Sequence, residues 1–358
     1  MKNWKENVRR VVPYVPGEQP KDTNIIKLNT NENPYPPSPF VLKAINSLGN
    51  ESNRRYPDPT SDKLVKALAD FHGVGSDRVF VGVGSDDVLG MIFMTFFNSE
   101  KDVLFADVTY SFYPVWCEML RINYREIPLD DDFKIRKEDY MVENGGIVIA
   151  NPNAPTGIIM NKNDLIDIIE ANSDSIVVVD EAYIDFAREG QSCLDLLDKY
   201  DNLIVVRTFS KSRSLAGLRI GYAISSAEII KLINDVKYSY NSYTMNSLQI
   251  EGGSASVSDN DYFRSMIKKV VETRERTTKE LEALGFEVLP SSTNFIFAKH
   301  NKISGTEIFE YLKDNKIYVR HFNQERIMDY LRITIGTDEE MDSLIRSIKV
   351  LLDKKADI

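Results

Sequence analysis

Lys211 lies among hydroxyls and near a guanidinium, in Thr208-Phe209-Ser210-Lys211-Ser212-Arg213-Ser214-Leu215-Ala216-Gly217-Leu218-Arg219. A primary amine can hold an aldehyde as a Schiff base, while hydroxyls and an arginine fork bind phosphate. Pyridoxal phosphate carries both groups, and its ring also serves as an electron sink. A lysine beside serines is more often a solvated surface residue. The segment gains meaning from what accompanies it.

Three other segments supply what such a cofactor needs. Val83-Gly84-Ser85-Asp86-Asp87 stands between an apolar run and a helical pattern. Ser85 can cap that helix, and the free N–H groups at a helix start bind phosphate, although any tight turn can carry Gly and Ser. The carboxylates of Asp86 and Asp87 would repel a phosphate, so binding there calls on backbone amides. Val177-Val178-Val179-Asp180-Glu181-Ala182-Tyr183 ends a buried run on a carboxylate. Burying that charge alone is costly. A protonated pyridine nitrogen would partner Asp180, and Tyr183 could reach the ring's phenolic oxygen; a helix cap or a metal ligand are the other uses of a strand-end aspartate. In Asn151-Pro152-Asn153-Ala154-Pro155-Thr156-Gly157, two prolines and a glycine force a rigid turn. It is either a plain tight loop or a platform that presents an amide to the cofactor's edge.

These segments follow short β-rich runs. Arg78 to Val83, Val103-Leu104-Phe105, Ile147 to Ala150, Ile176 to Val179 and Leu203 to Val206 read as buried strands. Leu64 to Phe71, Ser85 to Phe97 and Lys162 to Ala171 read as helices between them, so the pattern predicts an α/β fold with a largely parallel sheet. Such sheets bind ligands at the C-terminal ends of their strands. From about 246 the pattern changes. A long charged helix over 260–284, short apolar runs at 286–289, 294–298, 318–320 and 330–335, and helices at 305–314 and 338–354 suggest a small α+β domain. Residues 1–40, rich in Pro, Asn and Gly, read as an extended arm.

The composition is that of a globular chain: 358 residues, 42% hydrophobic, 27% charged, formal net charge -10. An acidic chain is a poor partner for nucleic acid or an anionic membrane. Two cysteines and three scattered histidines show neither a disulfide framework nor metal-ligand spacing, so no metal is expected. The N-terminus lacks the apolar stretch of a signal peptide, and no run approaches the ~20 apolar residues that span a bilayer. A cytoplasmic protein is expected.

Taken together, Asn-Pro-Asn-Ala-Pro-Thr-Gly, Asp-Glu-Ala-Tyr and Thr-Phe-Ser-Lys with Arg eight residues later resemble the fold-type I aminotransferases over nearly the whole chain. Pro13-Tyr14, Leu28 to Pro34, Arg55-Tyr56-Pro57-Asp58, Ser210 to Gly221 and Leu331 to Gly336 are most similar to the histidinol-phosphate branch of that family. The resemblance implies an arm over 1–28 joining the small domain, a large cofactor-binding domain over 29–245 and a small domain over 246–358. It implies pyridoxal phosphate held by Lys211, which also moves the substrate proton, with Asp180 on the ring nitrogen, Tyr183 on the ring oxygen and Tyr110 on the ring face. Ser85, Asp86 (through backbone amides), Thr208, Ser210 and Arg219 would hold the phosphate, joined by Tyr56 from the partner of a homodimer. Arg332, with Arg320, Tyr14 and Asn33, would bind substrate. The implied reaction is ping-pong transfer between histidinol phosphate and 2-oxoglutarate or glutamate. Aromatic amino-acid transamination and threonine-phosphate decarboxylation are the rival activities. A DNA-binding regulator on the same body is not expected, because about 60 residues before the α/β pattern leave no room for a winged helix. The chain departs from the family in one place. The asparagine that usually bonds the ring oxygen is replaced by Ala154. Either Asn153 serves instead, or Tyr183 serves alone.

Overall fold

Among the described residues, strands β1 (Ile26–Leu28), β2 (Val79–Gly82), β3 (Val103–Ala106), β4 (Tyr124–Ile127), β5 (Gly146–Ala150), β6 (Val177–Asp180), β7 (Leu203–Thr208), β8 (Gly221–Ile224), β9 (Phe286–Val288), β10 (Phe295–His300), β11 (Ile317–His321) and β12 (Leu331–Thr334) build two sheets. The structure is a computed structural model that describes residues 4–356 other than 16 and 23. Residues 1–3, 16 and 23 of the expected arm, and 357–358 of the expected small domain, lie outside the described residues.

The larger sheet has seven strands in the order β2-β8-β7-β6-β5-β3-β4. Only β8 runs against its neighbours β2 and β7; the other pairings are parallel. Its central strands are Val- and Ile-rich because both faces are covered. Ile147, Ile149, Val177 and Val179 point into one core, while Val148, Val178, Ile204 and Val206 point into the other. This is the period-2 alternation of a strand read on two apolar sides. Register then places the chemistry. Ala150 pairs with Asp180, and Asp180 with Val206, so β5 and β6 end level with one another while β7 runs two residues further, to Thr208.

The smaller sheet has the order β1-β11-β12-β10-β9. β1 joins it by parallel pairing with β11, Ile26 opposite Ile317, which ties the N-terminal segment to the C-terminal part of the chain. The second unit begins later than composition suggests. The helix Ser247–Ser258 places Ile250 and Val257 in the core of the large sheet. Val270 and Leu281 of the next helix, Asn260–Ala283, belong to the small-sheet core. The physical reason is close packing. A Cβ at Gly253 would meet Ile220 and Leu64 at 2.9 Å, so the glycine pair Gly252-Gly253 lets this helix lie directly on the large unit.

Strand β8 has a similar steric demand at its first residue. Gly221 lies between Gly82 and Thr208 in the sheet, and a Cβ there would collide with the backbone of Gly84 and Ser85. No flexible side chain can yield. Gly221→Ala is therefore expected to lower unfolding free energy by about 1–3 kcal/mol, the usual range for overpacking, read as a lower urea midpoint at unchanged slope. A midpoint equal to the parent's would show that this approach is not close.

Candidate active site

The C-terminal ends of β5, β6 and β7, with the β2 turn beside them, open onto one cavity of about 240 Å³. Lys211, Asp180, Tyr183, Tyr110, Ser85, Asp86, Thr208, Ser210 and Arg219 all line it. The Lys211 Nζ donates to the Thr30 carbonyl at 3.2 Å and lies 5.8 Å from the centre of the Tyr183 ring. Its turn is held from behind. Ser212 Oγ donates to Asp185 at 2.6 Å, Asp185 meets Arg207 at 3.4 Å, and Arg207 grips Glu181 at 2.8 Å. Arg207 and Glu181 are buried. Asn33, expected at the substrate, also serves this turn: its Nδ2 donates to the carbonyls of Lys211 and Ser212 at 3.2 and 3.3 Å, and its Oδ1 accepts from the Tyr35 N–H. Its polar atoms are committed to backbone, so it positions the lysine segment.

Asp180 is 5% exposed. Burial pushes its carboxyl up to about 6, against the hydrogen bonds from the Tyr113 hydroxyl and the Ala182 N–H. Those bonds measure 2.9 and 3.1 Å. A cation opposite this carboxylate would offset the desolvation that raises it.

At the other end of the cavity stands Arg219, in the left-handed region at φ 55°. Its Nη1 donates to Ser210 Oγ at 3.4 Å and its Nη2 to the Asp86 carboxylate at 3.0 Å. Thr208 Oγ1 and Ser210 Oγ are 3.0 Å apart. The helix Ser85–Phe96 starts here, and its first N–H groups have no partner within the helix. Gly84 has φ 84°, and a Cβ on it would strike the Arg219 guanidinium. That bare backbone, the helix start and the hydroxyl pair form a cradle for a phosphate. Asp86 differs from expectation. Its carboxylate, not only its backbone, faces the cavity, where it accepts from Tyr110 at 2.7 Å as well as from Arg219. Asp87 turns back to the Val83 N–H instead.

The side toward β11 and β12 is cationic. Arg332 Nη2 donates to the Asn29 carbonyl at 3.1 Å, while its Nε is sealed from solvent without a hydrogen-bond partner. Its guanidinium sits 5.5 Å from the Phe295 ring and 5.7 Å from that of Phe322. Burial, and then the neighbouring Arg320, hold its pKa below the usual arginine value. Arg320 and Tyr14 line an adjoining groove, and the Tyr14 ring lies 5.0 Å from that of Phe112, tilted by 37°. Two cations with hydroxyls and aromatic walls suit an anion attached to a flat ring.

Two expected residues lie elsewhere. Asn153 faces away from the cavity: its Nδ2 donates to Val108 and Thr156, and its Oδ1 accepts from Thr109. Ala154 and Pro152 line the cavity in its place, as adjacent side chains on an extended turn alternate. Tyr56 is 81% exposed and stacks on Tyr243 at 4.6 Å, outside its own chain's cavity. Sequence reasoning missed Thr30, Glu32, Tyr113 and Asn31. The last two act through side chains already assigned, and only Asn31 carried a signal, an asparagine in a Pro-rich turn where left-handed backbone is common.

The residues present fit pyridoxal phosphate: an amine for the aldehyde, a buried carboxylate for the ring nitrogen and a phosphate cradle around one cavity. Among the described residues, no three His, Cys, Asp or Glu side chains gather as metal ligands, and no helix is long and apolar enough to cross a membrane. The family described as aminotransferase class I and II matches residues 23–348. A histidinol-phosphate aminotransferase of Lactococcus lactis subsp. cremoris strain SK11 is 52% identical over 353 residues, covering 99% of either chain. That of Clostridium beijerinckii is 50% identical over 351 residues, 98% of either chain. The crystal structure of histidinol-phosphate aminotransferase from Sinorhizobium meliloti, in complex with pyridoxal-5'-phosphate, superimposes with a TM-score of 0.83 at 26% identity, covering 91% of either chain.

Asp180 generates a pH prediction for the cofactor-free protein. Its folded pKa of about 6 lies above the ordinary 3.8, so the folded state binds the extra proton. Its contribution to stability is then lost as pH rises from about 4 through 6, by an amount of order 3 kcal/mol. Asp180→Asn abolishes that titration. The melting temperature of the variant minus that of the wild type should rise between pH 4 and pH 7; a difference independent of pH would refute the shift.

Proposed function

Because the chain belongs to the class I and II aminotransferases, we propose that it transfers the amino group of histidinol phosphate to 2-oxoglutarate, giving imidazole-acetol phosphate and glutamate, as a cytoplasmic step of histidine biosynthesis. The observation that carries the substrate reading is Arg332, half-buried with its Nε sealed and unpartnered and Arg320 beside it. An arginine fork binds carboxylate and phosphate with the same planar geometry. One pocket can thus take a phosphate monoester in one half-reaction and a dicarboxylate in the other.

Pyridoxal phosphate, when bound, supplies an aldehyde that takes up the amino group and a ring that accepts the electron pair left on the substrate carbon. Lys211 would hold that aldehyde and then, once its amine is released, carry the proton away from the substrate carbon and return it. Thr30 holds the amine in the cavity by its carbonyl. Asp180 would keep a proton on the ring nitrogen, its carboxylate charge stabilising the protonated ring at close range. Arg219, Thr208, Ser210 and the start of the helix Ser85–Phe96 would hold the phosphate. The Tyr183 hydroxyl would donate to the ring oxygen, and Tyr110 would lie against the ring.

The same reading makes the enzyme a homodimer in which Tyr56 reaches the partner's phosphate cradle. Tyr56 is exposed on its own chain and stacks on exposed Tyr243, which lies three residues beyond exposed Tyr240. Aromatic side chains gathered on a surface mark association sites.

Lys211→Ala should lose the visible absorbance that depends on the lysine and at least about 10²-fold in turnover; full steady-state turnover would sink the mechanism. Arg332→Ala should raise KM for donor and acceptor by at least about tenfold while pyridoxal phosphate stays bound, and unchanged KM values would remove Arg332 from the substrate. Histidinol phosphate should far outrun phenylalanine as donor with 2-oxoglutarate. Preference for phenylalanine would select aromatic transamination, and carbon dioxide release without an oxo acid would select decarboxylation.

A further inference from the structure

Asn31 is buried, 1% exposed, in the left-handed region at φ 57°. Three of its polar groups are tied to the small sheet. Its N–H donates to Thr334 Oγ1 at 2.9 Å, its Oδ1 accepts from Thr334 Oγ1 at 3.1 Å, and its carbonyl accepts from Asn294 Nδ2 at 2.9 Å. The fourth, Nδ2, donates to the Tyr183 hydroxyl at 2.9 Å.

Proton bookkeeping fixes this direction. The backbone N–H can only donate, so Thr334 Oγ1 accepts it and has its own proton to give. The acceptor within reach is Asn31 Oδ1, which leaves the amide nitrogen facing Tyr183. The Tyr183 ring is held edge-on to Phe295 at 5.2 Å and an interplanar angle of 90°, so the one soft degree of freedom is rotation of its hydroxyl. A hydroxyl that accepts from Asn31 must aim its own proton elsewhere. The cavity that Tyr183 lines lies there.

We propose that Asn31 is a positioning residue that turns the Tyr183 hydroxyl into an obligate donor toward the bound cofactor's ring oxygen. The inference rests on the reading that the cavity holds pyridoxal phosphate. It matters more in this chain than the tyrosine alone suggests, because Ala154 and Pro152 bring no polar side-chain atom to the lining and Asn153 is spent on Val108, Thr109 and Thr156. The charged groups around Tyr183 are Lys211 from the lysine turn, Arg332 from β12 and Asp180 at the end of its own strand. None of them is a neutral donor that could stand in for the hydroxyl.

The test inverts the donor while keeping shape. Asn31→Asp presents only acceptors and tolerates the left-handed backbone, so it pulls the Tyr183 proton away from the cavity. A hydrogen bond donated to an anionic oxygen stabilises it, and its loss raises the pH at which the cofactor's visible absorbance changes, here by about one unit, the tenfold effect of a charge-assisted bond. In the holoenzyme, Asn31→Asp and Tyr183→Phe should each move that spectral midpoint upward by a similar amount. The double variant should move no further than Tyr183→Phe alone. Asn31→Gly, which keeps the positive φ without charge, should shift the same way and covers the case in which the aspartate variant does not fold. The inference is overturned if the Asn31 variants leave the midpoint in place, if the two shifts add in the double variant, or if Tyr183→Phe itself has no effect. A wild-type protein that shows no visible cofactor absorbance would instead overturn the cofactor reading, and this inference with it.

Discussion

The site depends on a buried ion pair that never touches it. Glu181 follows Asp180 at the end of β6, and Arg207 precedes Thr208 at the end of β7. Because side chains alternate across a strand, the pair lies on the opposite side of the sheet from the two cavity residues, with Arg207 Nη2 2.8 Å from the Glu181 carboxylate. Drawing these charges together sets where the adjacent strands end, and hence where Asp180 and Thr208 meet the cavity. The same arginine reaches Asp185, which accepts from Ser212, the neighbour of Lys211. Removing either member would strand a buried charge, a loss of about 3–5 kcal/mol. The tie therefore adds a polar anchor for Lys211 to the apolar one that Phe209, Leu215 and Ile220 of the same segment provide in the large core.

Charge balance shows how an acidic chain builds an anion site. The formal net charge is -10, yet Arg219, Arg320, Arg332 and Lys211 converge on one region. Each is treated differently by its surroundings. Arg219 is already paired with Asp86, which limits the cost of holding it near a buried hydroxyl pair. Arg332 has backbone and aromatic rings for company but no carboxylate, so its desolvation is offset only in part. A guanidinium left in that condition is a stronger ligand for an arriving anion than a paired one.

Much of this was legible in the sequence, for a definable reason. Lys211, Asp180 and Ser85 were found because each stands at or just after the end of an apolar strand, and the sheet brings such ends together whatever the helices do; Arg219 joins them because it stands just before β8, which runs antiparallel to β2 and β7. What failed was side-chain direction in loops. Asn33 and Asn153 have the right chemistry and nearly the right place, but their amides are consumed by the backbone of the turns they stabilise. Short strands also escaped: β1 has three residues, β8 follows directly on the lysine segment, and β4, Tyr-Arg-Glu-Ile, is an edge whose middle is charged. The helix Ser247–Ser258 hid the true start of the second unit, since small residues such as Gly252 and Gly253 pack closely without an apolar stripe to announce it.

The arm residues sharpen the relation between the two units. Asn29 and Asn31 lie just beyond β1, which is a strand of the small sheet, yet Thr30 between them accepts from the lysine of the large one. Along β12, Arg332 and Thr334 are two apart and so point the same way; the first donates to the Asn29 carbonyl, the second to Asn31. The segment 29–31 is thus stitched to the strand that carries Arg332 and, at the same time, to both Lys211 and Tyr183. An anion settling on Arg332 acts on a residue two positions from the one that holds Asn31. This three-residue segment is thus a hydrogen-bonded link from Arg332 and Thr334 of the small sheet to the Tyr183 hydroxyl of the large one, beside the direct electrostatic contact of Arg332 with Tyr183.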